Sequence, residues 1–130
     1  MTNRESGERL IREAERIFSR DLKAAKDDMD HNMTVRRAQE VVELILKGAL
    51  KVLGIDYPKV HDVGEVFVQR VREKYPPTDK EVLERIRIIS MWLSEARAPS
   101  FYFEKNYTYD DAMKAYEDAE FLVKEIKAFL

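Results

Sequence analysis

The chain has no cysteine, so neither a disulfide framework nor a thiolate metal site is open to it. Histidine is scarce too: His31 and His61 stand far apart, which argues against a zinc centre. No apolar run approaches the ~18 residues that span a bilayer, and charges interrupt every window. The opening residues, Met1-Thr2-Asn3-Arg4-Glu5, lack the apolar core of a signal peptide, so a cytoplasmic location is expected. Only two glutamines and three asparagines stand beside 48 Lys, Arg, Asp and Glu residues, a bias found in hyperthermophile proteins that suggests a thermophile source. The net charge of −2 argues against bulk nucleic-acid binding while leaving room for a local basic patch.

What remains is helical. The 130 residues suit a single domain, 1–130, able to bury roughly two-thirds of its unfolded surface. Five segments have helical periodicity and none reads as a strand. Residues 6–29 carry Leu10, Ala14, Ile17, Phe18, Ala25 and Met29 as a core-facing stripe. Residues 34–53 carry apolar side chains over about half the helical circumference, which predicts a central helix, closed by Gly54 in a left-handed cap. A shorter helix is expected from about Asp62 to Tyr75, stopped by Pro76-Pro77. Thr78 and Glu81 form a candidate capping box for the fourth helix, which should bury Val82, Ile86, Ile89 and Leu93 and run to about Ala96 before Pro99. An irregular stretch from Arg97 to Tyr107 precedes a last helix capped by Thr108-Tyr109-Asp110-Asp111. The expected fold is therefore all-α, an antiparallel up-and-down bundle of four long helices plus one shorter helix.

Four constellations can carry chemistry. Gln39, Glu43 and Lys47 recur every four residues beside the apolar arc of the second helix, placing an amide, an acid and a base in one row. Functionally, Lys47 would hold a phosphate and Glu43 would orient it or accept a proton; structurally, the row is an ion pair with Gln39 bonded to a neighbouring helix. Between Arg97 and Tyr109, five aromatics fall within nine residues. With Arg97 they either stack a base or close an interface, or they lid the bundle while Arg97 binds the last carbonyls of the fourth helix. Arg9, Arg12, Arg16, Arg20 and Lys23 fall within about 80° of a helical wheel, a stripe offset either by RNA phosphate or by carboxylates of the last helix or another subunit. His61 is either a ligand contact or general base, or a turn residue beside Asp62 acting as helix cap.

Taken together, Ala38-Gln39-Glu40-Val41-Val42-Glu43-Leu44-Ile45-Leu46-Lys47 with Gly54, then His61-Asp62-Val63, Arg97 ahead of Tyr102, and Tyr107-Thr108 leading into Asp111-Ala112, resemble the HEPN domain family. The matches keep the family's order from about residue 10 to the C-terminus. The resemblance implies a nucleotide-binding helical bundle, commonly a homodimer, whose small prokaryotic members are partners of a minimal nucleotidyltransferase in toxin–antitoxin pairs. Some branches are metal-independent ribonucleases with an arginine and a histidine separated by four to six residues. Here Arg97 is the matching arginine, but Tyr102, Phe103 and Glu104 occupy the histidine positions. A tyrosine pKa is too high for it to replace histidine near neutral pH. The expectation is a binding module without that catalysis and without a cofactor, using Gln39, Glu43, Lys47, His61, Arg97 and Tyr102. Its rivals are a ribonuclease with a rearranged site and a pure protein-interaction module.

Overall fold

A computed structural model describes residues 2–76 and 78–130. The helices are α1 (Asn3–Arg16), a π-helical turn (Ile17–Leu22), α2 (Lys23–Asp27), α3 (His31–Val52), α4 (Gly64–Lys74), α5 (Lys80–Phe101) and α6 (Tyr109–Phe129). The first three are continuous, so five rods result, with α4 the short one. Among the described residues there is no strand, and no helix is long and apolar enough to cross a membrane.

The central helix is α3, which packs along α1, α5 and α6. Val35, Ala38, Val41, Ile45, Leu46, Ala49 and Leu50 are fully buried on it, as its wide apolar arc requires. The α3 and α1 backbones approach closely at a glycine pair: a Cβ on Gly7 would lie 2.6 Å from the Gly48 carbonyl oxygen, and one on Gly48 would lie 2.8 Å from the Gly7 oxygen. Asn32 at the start of α3 bonds to the backbone at the end of α5, so these two rods are antiparallel. Between α5 and α6, Trp92 Nε1 and Lys114 Nζ both donate to Asp118 Oδ2 at 2.9 Å, which satisfies the indole N–H in a half-buried seam. The result is the expected up-and-down bundle.

Helix ends account for most differences from the sequence reading. Thr2 caps α1 through the Glu5 amide, and Asp30 caps α3 through the Met33 amide, so both helices begin three residues earlier than periodicity suggests. Asp79, not Thr78, caps α5, its Oδ1 accepting from the amides of Glu81 and Val82. A carboxylate is the stronger acceptor beside a helix N-terminus. The Thr108–Asp111 capping box forms as read. Ahead of Pro76, α4 ends at Lys74; Pro77 and Met1 lie outside the described residues.

Pro99 does not end its helix. Its missing N–H would serve only the last turn, and α5 continues to Phe101, closing with bonds from the Tyr102 amide to the Ala98 carbonyl and from the Glu104 amide to the Pro99 carbonyl. The same cap recurs after α2 and α3, with Met29 (φ 59°), Gly54 (φ 73°) and Phe103 (φ 57°) in the left-handed region. Gly54 adopts this freely, whereas Met29 and Phe103 do so at a cost of about 1–2 kcal/mol each. Met29 is thereby turned out to solvent instead of facing the core. The π-turn adds backbone to one turn of the first rod and shifts the apolar phase there, so that Leu22 is buried while Phe18 is only half-buried; ahead of it the buried stripe of α1 is Gly7, Ile11 and Ala14, with Leu10 half-buried beside it.

Candidate functional site

Glu43 is the hub of the polar row. Its Oε1 accepts from Gln39 Nε2 at 2.7 Å and meets His61 Nδ1 at 2.9 Å, and its Oε2 accepts from Lys47 Nζ at 2.8 Å. Burial pushes the Glu43 carboxyl pKa up, but hydrogen bonds from Lys47, Gln39 and His61, with the Lys47 charge, outweigh burial and hold it below its ordinary value. Glu43 is therefore an ionised acceptor. A partner nitrogen must carry hydrogen, so His61 presents Nδ1–H inward and its Nε2 outward from a side chain that is 53% exposed. The ion-pair part of the structural reading is right, but Gln39 bonds along its own helix and not to a neighbouring one. Gln39 is buried, and its Oε1 has no partner among the described residues.

The segment after α3 carries His61 back over the row. Gly54 turns the chain, and the Tyr57 ring lies 5.8 Å from Lys47 Nζ. Asp62 Oδ1 accepts from Ser90 Oγ at 2.7 Å and from the Gly64 amide at 3.2 Å, and that amide also reaches Ser90 Oγ at 3.1 Å. Asp62 thus ties the start of α4 to α5 as well as bonding the first helical amide. A Cβ on Gly64 would stand 2.5 Å from the Ser90 Cβ, so only glycine permits this approach. Ser90 drew no attention in the sequence, because a lone serine in a helix has no local signature.

Toward the start of α3 the row continues through Arg36, Arg37 and Glu40. Arg37 Nη1 contacts both Glu40 oxygens, and Arg36 lies 3.5 Å from Glu40 while its guanidinium rests 3.5 Å from the Phe101 ring centre. Phe101 is one turn beyond Arg97 on α5, so Arg97 stands at this end of the row. His61 is tied to the level of Ser90, seven residues or about 10 Å of helical rise from Arg97. The structure therefore brings Gln39, Glu43, Lys47 and His61 together, and keeps Arg97 and Tyr102 at the opposite end.

The lid reading of the aromatic stretch fails. Phe101, Tyr102, Phe103 and Tyr109 are 46%, 66%, 73% and 50% exposed, and only Tyr107 turns inward. Arg97 does not hold the helix-end carbonyls; its own carbonyl accepts from Ser100 Oγ, and its side chain has no ion pair or hydrogen bond among the described residues. What fixes the stretch is Asn32, which sequence reading passed over. Its Nδ2 donates to the carbonyls of Ser100 and Lys105, and its Oδ1 accepts the Tyr107 amide at 2.9 Å.

Three of the five residues of the basic stripe on the first rod are offset locally. Arg16 pairs with Glu13, Arg20 with Asp21 and Lys23 with Asp27, all on the same rod. Arg9 and Arg12 are exposed. Among the described residues no cluster of three His, Asp or Glu side chains is placed to hold a metal ion.

No curated protein and no solved structure matches the chain. The HEPN domain family matches over residues 5–129, from the first turn of α1 to the last residue of α6. With that span, this helical bundle belongs to the HEPN domain family.

Proposed function

We propose that the chain is a HEPN module that binds a nucleotide or a short RNA along the polar face of α3. The observation that carries this is the Glu43–His61 contact, which orients an exposed imidazole beside a half-buried, fully bonded carboxylate. His61 Nε2 meets a phosphate or hydroxyl of the ligand, and the unpaired Arg97 takes a phosphate at the other end of the row. Lys47 is committed to Glu43, so its role is to hold that carboxylate ionised more than to bind phosphate itself. Tyr102 stacks or hydrogen-bonds at the Arg97 end. The module works as a homodimer and with a minimal nucleotidyltransferase as partner in a toxin–antitoxin pair, both suggested by the family pattern.

A second reading draws on the same contact. A carboxylate-bound imidazole with a free Nε2 is equipped for general-base work, and in a metal-independent ribonuclease it would take the proton of the 2′-hydroxyl as that oxygen attacks phosphorus and the bond to the 5′-oxygen breaks, leaving a 2′,3′-cyclic phosphate and a 5′-hydroxyl protonated from water. With no histidine following Arg97 at the family spacing, such activity would depend on His61.

Titrating AMP and short RNAs at two salt concentrations, with the RNA checked for cleavage, separates the readings. Saturable binding with intact RNA, weakened about 10-fold by His61→Ala and by Arg97→Ala, is the expected result. Cleavage abolished by His61→Ala establishes the ribonuclease. Absence of both binding and cleavage overturns the ligand-binding proposal in favour of a protein-interaction module.

A further inference from the structure

The two most exposed aromatic side chains are consecutive in the chain, just beyond α5 at the end of the row. Tyr102 and Phe103 are 66% and 73% exposed, although their backbone is tightly held. Asn32 anchors the chain on both sides of them, at Ser100 and at Lys105 and Tyr107. Phe103 keeps a left-handed φ of 57°, a conformation that would suit glycine better and that turns the ring into solvent. Tyr102 meets Phe101 edge to face at 4.7 Å, which leaves a face of the tyrosine ring open, while Phe101 carries the Arg36 guanidinium. A rigid mount, open ring faces and adjacent guanidinium groups are the elements of a base-stacking platform.

We propose that Tyr102 and Phe103 form a subsite for unpaired nucleobases of single-stranded RNA, continuing the ligand path from the α3 row past Arg36 and Arg97. This rests on the reading given under Proposed function and adds the class of ligand, single-stranded and longer than one nucleotide. The charge around the platform sets how it binds. Glu104 and Asp110 lie close in sequence to the rings, so a long polyanion gains little here and stacking supplies most of the affinity. Arg97 and Lys105 have no ion pair among the described residues and Arg36 is shared with Glu40, so two to three cations are set to neutralise phosphates, which gives a shallow salt dependence, a slope of log K on log salt of about −1.4 to −2.1.

The experiment compares AMP, a labelled single-stranded RNA octamer and the same octamer in a duplex, by fluorescence anisotropy on the whole chain. The single strand should bind more tightly than AMP and more tightly than the duplex. Phe103→Gly and Tyr102→Ser should each weaken the octamer about 5- to 100-fold, and Phe103→Gly, at a residue outside the mononucleotide site, should leave AMP affinity unchanged. Phe103→Gly relieves the strained φ, so a folding defect does not explain its loss of binding; an unchanged or raised Tm verifies this. The platform is overturned if both variants bind the octamer as the parent does, or if they instead convert a dimer to a monomer in sedimentation. AMP binding without any preference for the octamer overturns the platform alone. Failure to bind either probe overturns the platform and the ligand-binding reading together.

Discussion

Replacing Glu43 with glutamine keeps its shape and removes the charge to which Lys47 and His61 are bonded. Because the folded carboxyl has a lowered pKa, its stabilising contribution is complete above the unfolded value, about 4.3, and is lost as pH falls through the folded value. Glu43→Gln should therefore lower Tm at neutral pH, by the equivalent of about 1–3 kcal/mol, and the gap to the parent should close as the buffer is taken into the acid range. A pH-independent gap in thermal melts would refute this assignment. Three of the four members of the cluster were legible as a row in the sequence, since a four-residue step places Gln39, Glu43 and Lys47 on one helix face whatever surrounds them. The His61 contact was not, because it spans 18 positions and depends on how the chain after Gly54 returns. Asn32 escaped notice for the same reason, its partners lying 68 to 75 residues away. Asn32→Ala should cost about 2–3 kcal/mol, with amide exchange accelerating first at Tyr107, whose N–H loses its acceptor.

Among the helices, periodicity revealed which faces are buried, while the ends followed from rules that act within one turn. Where a single group competes for a cap, the chain reading succeeded, as at Thr108 and Gly54. Where two neighbours compete, as Thr78 and Asp79 do, the outcome rests on geometry that spacing does not encode. The π-turn at Ile17–Leu22 belongs to the same class, since no residue in it announces an extra residue per turn. The first rod and α3 approach closely at the Gly7–Gly48 crossing, and Gly48→Ala tests it. The added methyl would lie 2.8 Å from both the Gly7 oxygen and Ile11 Cγ1, so α1 must move outward. A loss of about 1–3 kcal/mol is expected, read as a fall in Tm of about 4 °C for each kcal/mol. A neutral substitution would mean that the rods separate without cost.

At the scale of the molecule, function and core are divided along α3: one side of it buries the apolar arc while the other carries the polar row, with His61 held by the chain after α3 and Arg97 by α5. The bundle's only tryptophan packs against the edge of that core, its indole N–H on Asp118 between α5 and α6 and the Lys114 ammonium 4.4 Å from its ring centre. Trp92 is consequently a built-in optical reporter of one seam. Circular dichroism follows all the rods, whereas indole emission follows the α5–α6 junction alone. Coincident urea transitions by the two signals would establish that the seam opens only with the whole bundle. Emission changing ahead of the helix signal would identify α6 as a separately unlatching arm, and ligand added to the α3 row would leave that early transition where it was.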